Sequence, residues 1–309
     1  MKFSVIAPVY GVEKYIAAFA ESLFEQTYPD IQFIFVNDGT KDASIDIVRS
    51  MLDGKYAYLK DRTIIVDKEN EGLPAARRTG MEYADGDYVL HVDSDDWLEK
   101  DAIEKIALKA EETQADIIYF DFYKEYDTYR KKDVERDYTA ADKLKFISGL
   151  HNYRAHGYVW NKCTKRSLYL ENPVVFPEKG MHEDIHLNTQ LLWYAKSIVH
   201  LKEALYHYRR NNPGSISTAK RRLRRHDSAI NMMDLFIRYR DDLAGSPIST
   251  CYKEILFRTG WLSLRYNFGF FDEFPFLAAE IRKIRPTFRA KTFILWQIVV
   301  KAYVAFRKR

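Results

Sequence analysis

Short apolar runs alternate with amphipathic stretches along the first 125 or so residues. "FSVIAPVY" (3–10) is an apolar run stopped at Pro8, and it predicts a first strand. Over 12–26, Ile16, Phe19, Ala20, Leu23 and Phe24 recur at helical spacing. "IQFIFVND" (31–38) predicts a second strand, closed by Asn37, Asp38 and Gly39. A helix over 42–52 follows, with Asp42 as its N-cap, and then a strand over 62–67. Pro74 suits the first turn of a helix over 73–84. "DYVLHVD" (87–93) predicts a fourth strand, 97–114 a helix and 115–122 a fifth strand. Apolar strands separated by amphipathic helices predict an α/β protein, with a mostly parallel central sheet and helices on both faces.

The rhythm then changes. Residues 123–143 are polar and tyrosine-rich and read as an edge excursion or a loop. A helix is expected over 182–198, and a strand-like stretch over 203–217 runs into a Pro-Gly turn. Beyond it the pattern predicts helices over 221–243, 250–265, 273–284 and 288–306. The division is therefore a domain of residues 1–217 and a helical, basic C-terminal region of residues 218–309. No internal repeat or low-complexity tract interrupts it.

Composition narrows the class. A chain of 309 residues with 47% hydrophobic and 30% charged residues folds around a real core. Two cysteines, Cys163 and Cys251, exclude a disulfide scaffold, and the lack of a CxxC pair argues against a thiolate zinc site. The N-terminus reads as a core strand and not as a signal peptide, so a cytoplasmic location is expected. Net charge is only +4, but residues 281–309 hold nine Lys or Arg and no acid, and "KRRLRR" (220–225) holds five basic groups. Such blocks favour an anionic partner, the plain alternative being a solvated helix face. "KTFILWQIVVKAYVAFRKR" (291–309) is too short in apolar run to span a bilayer. It suits a helix lying on an anionic membrane surface, or a core helix with a basic end. No motif for reading nucleic acid accompanies it.

The chemistry is concentrated at strand ends, where open parallel sheets bind ligands. Three predicted ends are polar: Pro8, Val9 and Tyr10; Asn37, Asp38 and Gly39; Asp93, Ser94, Asp95 and Asp96. Asp93 and Asp95 alternate toward one side and could share a hard cation, Mg2+ or Mn2+, whose shell a diphosphate completes. Asp38 could accept hydrogen bonds from a base or ribose. The plain alternative is helix capping, and Asp96 is expected to be such a cap. Neither GxGxxG nor GxxxxGK[ST] occurs, which argues against a dinucleotide dehydrogenase and a P-loop enzyme. "HEDIH" (182–186) matches the HExxH pattern through His182, Glu183 and His186, so a zinc metalloprotease is the alternative.

Six segments, in order, carry a resemblance: "SVIAPVYGVEKYI" (4–16), "QFIFVNDGTKDAS" (32–44), "ENEGLPAARRTGMEYADGDYVLHVDSDDW" (69–97), "YVWNKCTKRSLY" (158–169), "HEDIHLN" (182–188) and "YHYRRNNPGSIS" (206–217). Over about residues 1–217 the chain resembles the family-2 glycosyltransferases, whose nucleotide-sugar-binding fold is called GT-A. The resemblance implies that Pro8, Val9, Tyr10 and Glu13 contact the nucleotide and that Asp38 binds its uracil. Arg77 falls near the donor pocket. Asp93, Ser94 and Asp95 form the DxD motif, with Asp93 near the ribose and donor sugar. By the same resemblance Asp95 would bind the metal, Mn2+ or Mg2+, that bridges the diphosphate. Asp184 matches the general base, with Glu183 beside it as an acceptor ligand or the base itself. Arg209 and Arg210 open a loop that closes near the diphosphate.

The implied activity is inverting transfer of a hexose or N-acetylhexosamine from a UDP-sugar. The implied acceptor is a saccharide, undecaprenyl-linked or lipopolysaccharide, met at the inner face of the cytoplasmic membrane. The chain departs from the family at Gly11, Arg78 and His91, none of them a catalytic position. A nucleotide-binding scaffold without catalysis is the remaining alternative, and the retained Asp95 and Asp184 speak against it.

Overall fold

The computed structural model describes residues 1–212, 221–241, 248–266 and 268–283. Two compact units divide the chain, Met1–Ala219 and Lys220–Arg309. The first opens with β1 (Phe3–Val9), α1 (Ile16–Phe24), β2 (Ile31–Asp38), α2 (Ser44–Asp53), β3 (Thr63–Lys68), α3 (Leu73–Tyr83), β4 (Tyr88–His91), β5 (Trp97–Leu98) and α4 (Ala102–Thr113). β1 lies between β2 and β4, β3 lies outside β2, and all four run parallel. Every residue of β1 is buried. Phe3, Val5, Ala7 and Val9 join a core with residues of α1, α2 and α4, whereas Ile6 packs with Ala76, Met81 and Ala84 of the α3 side. The sheet is thus covered on both faces, which is why its strands are apolar at successive positions.

The chain continues through β6 (Ile117–Glu125), β7 (Arg130–Asp133), α5 (Lys143–His151), β8 (Lys162–Lys165), α6 (Arg166–Leu170), α7 (Glu183–Tyr194) and β9 (Ile198–Arg209). The sheet order is β3-β2-β1-β4-β8-β6-β9-β5, with β7 paired to β6. β8 runs antiparallel between β4 and β6, while β6 and β9 are parallel. The expected α/β sheet is present, its parallel half extended by a mixed one. The polar stretch after β6 forms an edge hairpin through β7.

Two expected boundaries are corrected. The helix expected over 97–114 begins only at Ala102, because Trp97 and Leu98 pair with His207 and Tyr206 at the sheet edge. The helix expected over 182–198 ends at Tyr194. There the Asp116 carboxylate accepts the N–H groups of Lys196 and Ser197, at 2.7 and 3.1 Å, and draws the chain into β9. Asp42 sits one residue before the cap position of α2, and its carboxylate accepts the Ser44 N–H at 3.1 Å.

The second unit contains α8 (Arg221–Tyr239), α9 (Ile248–Tyr266), α10 (Phe270–Glu273) and α11 (Leu277–Lys283). Met233, Tyr252, Leu262, Phe270, Leu277 and Ile281 are buried in it. No helix among the described residues is long and apolar enough to cross a membrane. The helix expected over 288–306 and the "PGSIS" turn (213–217) lie outside the described residues.

Candidate functional site

A cavity of about 560 Å³ opens beyond the carboxyl ends of β1, β2 and β4. Pro8, Val9, Tyr10, Asp38, Arg77, Asp93, Ser94, Asp95, Glu183 and Asp184 all line it. Of the expected nucleotide contacts, only Glu13 is not in its wall; it faces α2 instead, where its carboxylate accepts the Ala43 N–H at 3.1 Å. Arg210 and Asn212, from the segment expected near the diphosphate, line the cavity too, and so do Tyr158, Trp160 and Tyr208, to which the sequence assigned no role.

The strand ends are fastened before any ligand arrives. Buried Asp38 accepts the N–H groups of Glu71 and Gly72, at 3.0 and 2.8 Å, and the Lys68 ammonium at 3.1 Å. It thereby pins the loop that leads into α3. Gly39 is needed there: its φ is +66°, and a Cβ would sit 2.9 Å from the Asn70 backbone nitrogen. Ser94 Oγ donates to the Pro8 carbonyl at 2.6 Å and joins the acidic stretch to the end of β1.

Asp96 is not the helix cap that its position suggested. It is buried, accepting the Tyr206 hydroxyl at 2.8 Å and the Arg209 N–H at 2.7 Å. Burial, with Asp95 and Asp93 nearby, pushes its carboxyl well above the usual range. The Tyr206 oxygen also accepts the Asp93 N–H at 3.0 Å. Arg209 Nε donates to the Asp95 carbonyl at 2.9 Å, and its guanidinium lies over the rings of Tyr15 and Trp97. Strand β9 thus clamps residues 93–96 from behind.

Arg77, 1% exposed, joins the two acidic segments. Its guanidinium donates to Asp93 at 2.6 Å and pairs with Glu183. Burial opposes its charge, but the two carboxylates override burial and hold it positive. Helix α7 starts after His182, which adopts a left-handed φ of +59°, and so places Glu183 and Asp184 in its first turn. Burial raises Asp184 to about 6, opposed by the Ile185 N–H on its Oδ1 at 2.8 Å and by Arg77 and Lys162. Burial likewise raises Glu183, against the pull of Arg77 and with the push of Asp184. His91, under Arg77, is buried with neither ring nitrogen hydrogen-bonded. Burial and the Arg77 charge keep it neutral, and it packs against Tyr169 and Phe176 like an apolar residue.

The acidic stretch fits a divalent cation that brings its own further ligands. Burial and the neighbouring Asp93 charge raise the Asp95 carboxyl, and a cation between them would relieve that repulsion. Among the described residues no group of three His, Cys, Asp or Glu could hold a metal by itself. Diphosphate oxygens and water would have to complete the shell, as Mg2+ and Mn2+ commonly require. The metalloprotease alternative fails on the same geometry. Glu183 is consumed by Arg77, His186 is fully buried with Nδ1 3.1 Å from Gln190 Nε2, and His182 precedes the helix.

Comparison with known proteins agrees with this geometry. The chain is similar to the putative glycosyltransferase EpsH of Bacillus subtilis, 34% identical over 214 residues. That match covers 67% of the chain and 60% of EpsH, so the chain spans less than two thirds of that relative's length. Among solved structures, Staphylococcus aureus TarS 1–349 in complex with UDP-GlcNAc superposes with a TM-score of 0.63 at 21% identity. The superposition covers 84% of this chain and 72% of that one. The mannosyltransferase PcManGT of Pyrobaculum calidifontis, in complex with GDP-Man and Mn2+, gives 0.56 at 16% identity, covering 99% and 82%. These likenesses share the fold. The family model described as glycosyl transferase family 2 matches residues 4–172, more than half of the chain, and to that family the chain belongs.

Proposed function

We propose that the chain is an inverting glycosyltransferase moving a hexose or N-acetylhexosamine from a UDP-sugar to a hydroxyl of a saccharide acceptor. One observation carries this reading: the DxD carboxylates Asp93 and Asp95 and the half-buried Asp184 open into one cavity. The transferase machinery is assigned to residues 1–217. Pro8, Val9, Tyr10 and Asp38 are assigned to the nucleoside end of the cavity they line. A Mn2+ or Mg2+ held by Asp95 and Asp93 would stabilise charge on the departing diphosphate. UDP-GlcNAc bound to TarS supports the nucleotide, and Mn2+ with GDP-Man in PcManGT supports the cation.

The chain's own groups do the rest. Asp184 takes the proton of the acceptor hydroxyl as that oxygen attacks the anomeric carbon. The new carbon–oxygen bond forms opposite the bond to UDP, which leaves with its electron pair. Configuration inverts, so an α-linked donor yields a β-linked product, and no sugar–enzyme bond forms. Glu183 keeps Arg77 charged and in place between Asp93 and the base. The basic blocks support a lipid-linked acceptor and a peripheral position on the inner face of the cytoplasmic membrane.

The test is a binding and turnover screen with UDP-, GDP- and dTDP-sugars, with Mn2+, Mg2+ or chelator. Metal-dependent binding of one UDP-sugar, lost in Asp95→Ala and kept in Asp184→Ala, is expected. Absence of nucleotide-sugar binding under every condition overturns the reading.

A further inference from the structure

Lys162 belongs to "YVWNKCTKRSLY", a segment to which the proposed mechanism assigns no chemistry. It starts β8 and is 2% exposed. A buried ammonium is costly unless its donors are paired and its charge is answered. All its hydrogen bonds go to neutral oxygens: the His156 carbonyl at 3.0 Å, the Tyr158 carbonyl at 2.8 Å and Asn161 Oδ1 at 2.7 Å. Among the described residues no carboxylate reaches ion-pair distance of it.

Those two carbonyls flank Gly157. Asn188 of α7 grips the same turn from the other side, donating to the Gly157 and Tyr158 carbonyls at 2.5 and 3.1 Å. The turn is seated on the start of α7: a Cβ on Gly157 would lie 2.5 Å from Ile185 Cγ1 and 3.7 Å from Asp184 Oδ2. The charged and titratable groups acting on Asp184 come from five places. Arg77 of α3 and Lys162 of β8 are positive, Asp93 beyond β4 and Glu183 of α7 are acidic, and Tyr158 contributes its hydroxyl from the turn.

We propose that Lys162 is a positioning residue for the transfer: its ammonium holds residues 156–158 in the turn on which the first turn of α7 is seated, and there it serves as a charge partner of Asp184. This rests on Asp184 being the base. Arg77 and Lys162 are the two cations that act on Asp184, and Arg77 is already paired with Asp93 and Glu183. Burial lowers Lys162 to about 8, and Glu135 and Asp184 pull it back up.

Linkage makes the test reciprocal, because each group must feel the loss of the other. The full chain, labelled with 15N at the lysine side chains, is titrated by NMR as wild type and as Asp184→Asn. The buried lysine resonance, identified by its absence in Lys162→Met, should titrate about one pH unit lower in Asp184→Asn. An unchanged midpoint overturns the proposal. If Lys162→Met does not fold, Lys162→Gln supplies the assignment. UDP release from UDP-GlcNAc with Mn2+ gives the second readout. In folded Lys162→Met or Lys162→Gln the acid limb of kcat/KM should move up by about one pH unit, a roughly fivefold loss at pH 6 beyond any loss at pH 8. A uniform loss at all pH values marks a purely structural lysine and overturns the charge role. Transfer that survives Asp184→Asn would instead overturn the base assignment, and the lysine titration then still decides whether the two charges act on each other.

Discussion

At the scale of single residues, the cavity and the structure directly behind it hold carboxyls that the fold does not favour as anions. Asp95, Asp96, Glu183 and Asp184 are all raised, chiefly by burial. Each binds its proton more tightly in the folded chain than in the unfolded one. Their contribution to stability is full below the unfolded value near about 4 and is withdrawn as pH rises through the folded values. For Asp184 that window closes near about 6. Replacing Asp184 by the neutral isostere Asn should therefore stabilise the chain at pH 7.5, on the order of 1–2 kcal/mol, with no gain at pH 4. The same substitution should cut transfer about 10²–10⁴-fold, as loss of a general base does. Wild-type kcat/KM should fall as pH drops below about 6, where Asp184 takes up its proton. Urea unfolding at the two pH values and a pH–rate profile check both halves. Equal stability of the two proteins at pH 7.5 would contradict the burial argument.

At the scale of elements, the acidic stretch is held by a strand that follows it by more than a hundred residues. Tyr206 and Arg209 of β9 reach Asp93, Asp95 and Asp96. Tyr206→Phe removes one hydroxyl and leaves two partners unsatisfied in a buried place. It should cost about 1–3 kcal/mol in denaturant unfolding and weaken metal-dependent donor binding, although Tyr206 touches no donor. A loss below about 0.5 kcal/mol with unchanged donor affinity would show that the clamp is idle.

This long-range link explains what the sequence did and did not disclose. The strands β1, β2 and β4 were legible because burial on both faces leaves an unbroken apolar run, and the half-buried end strand β3 still carries the short run of Ile64, Ile65 and Val66. The two residues of β5 and the four of β8, "KCTK", carry no such run, and their strand character comes only from neighbours already in place. Asp96 resembled a cap because its true partner lies 110 positions away. The cavity residues on strand ends were readable as chemistry; Tyr158, Trp160 and Tyr208 read equally well as core aromatics.

At the scale of the whole molecule, every cavity-lining residue among the described residues lies within the unit Met1–Ala219. A fragment of residues 1–219 should fold and keep its donor affinity within about threefold, because no lining group is lost. Isothermal titration with the UDP-sugar found in the screen checks this. Failure of the fragment to bind would show that the helical unit Lys220–Arg309 completes the site. The solved relatives with nucleotide-sugars share the fold of this chain at low identity, so the choice of sugar rests on the side chains around the cavity and not on its frame.

The Arg77 bridge carries a consequence for anyone redesigning this enzyme. One guanidinium joins Asp93 of the acidic strand end to Glu183, the neighbour of the proposed base Asp184. Changing Asp93 alone frees half of that guanidinium and should disturb the Glu183 end of the bridge as well. The two positions form a single mutational unit, and altered specificity there has to be sought among paired changes rather than accumulated one substitution at a time.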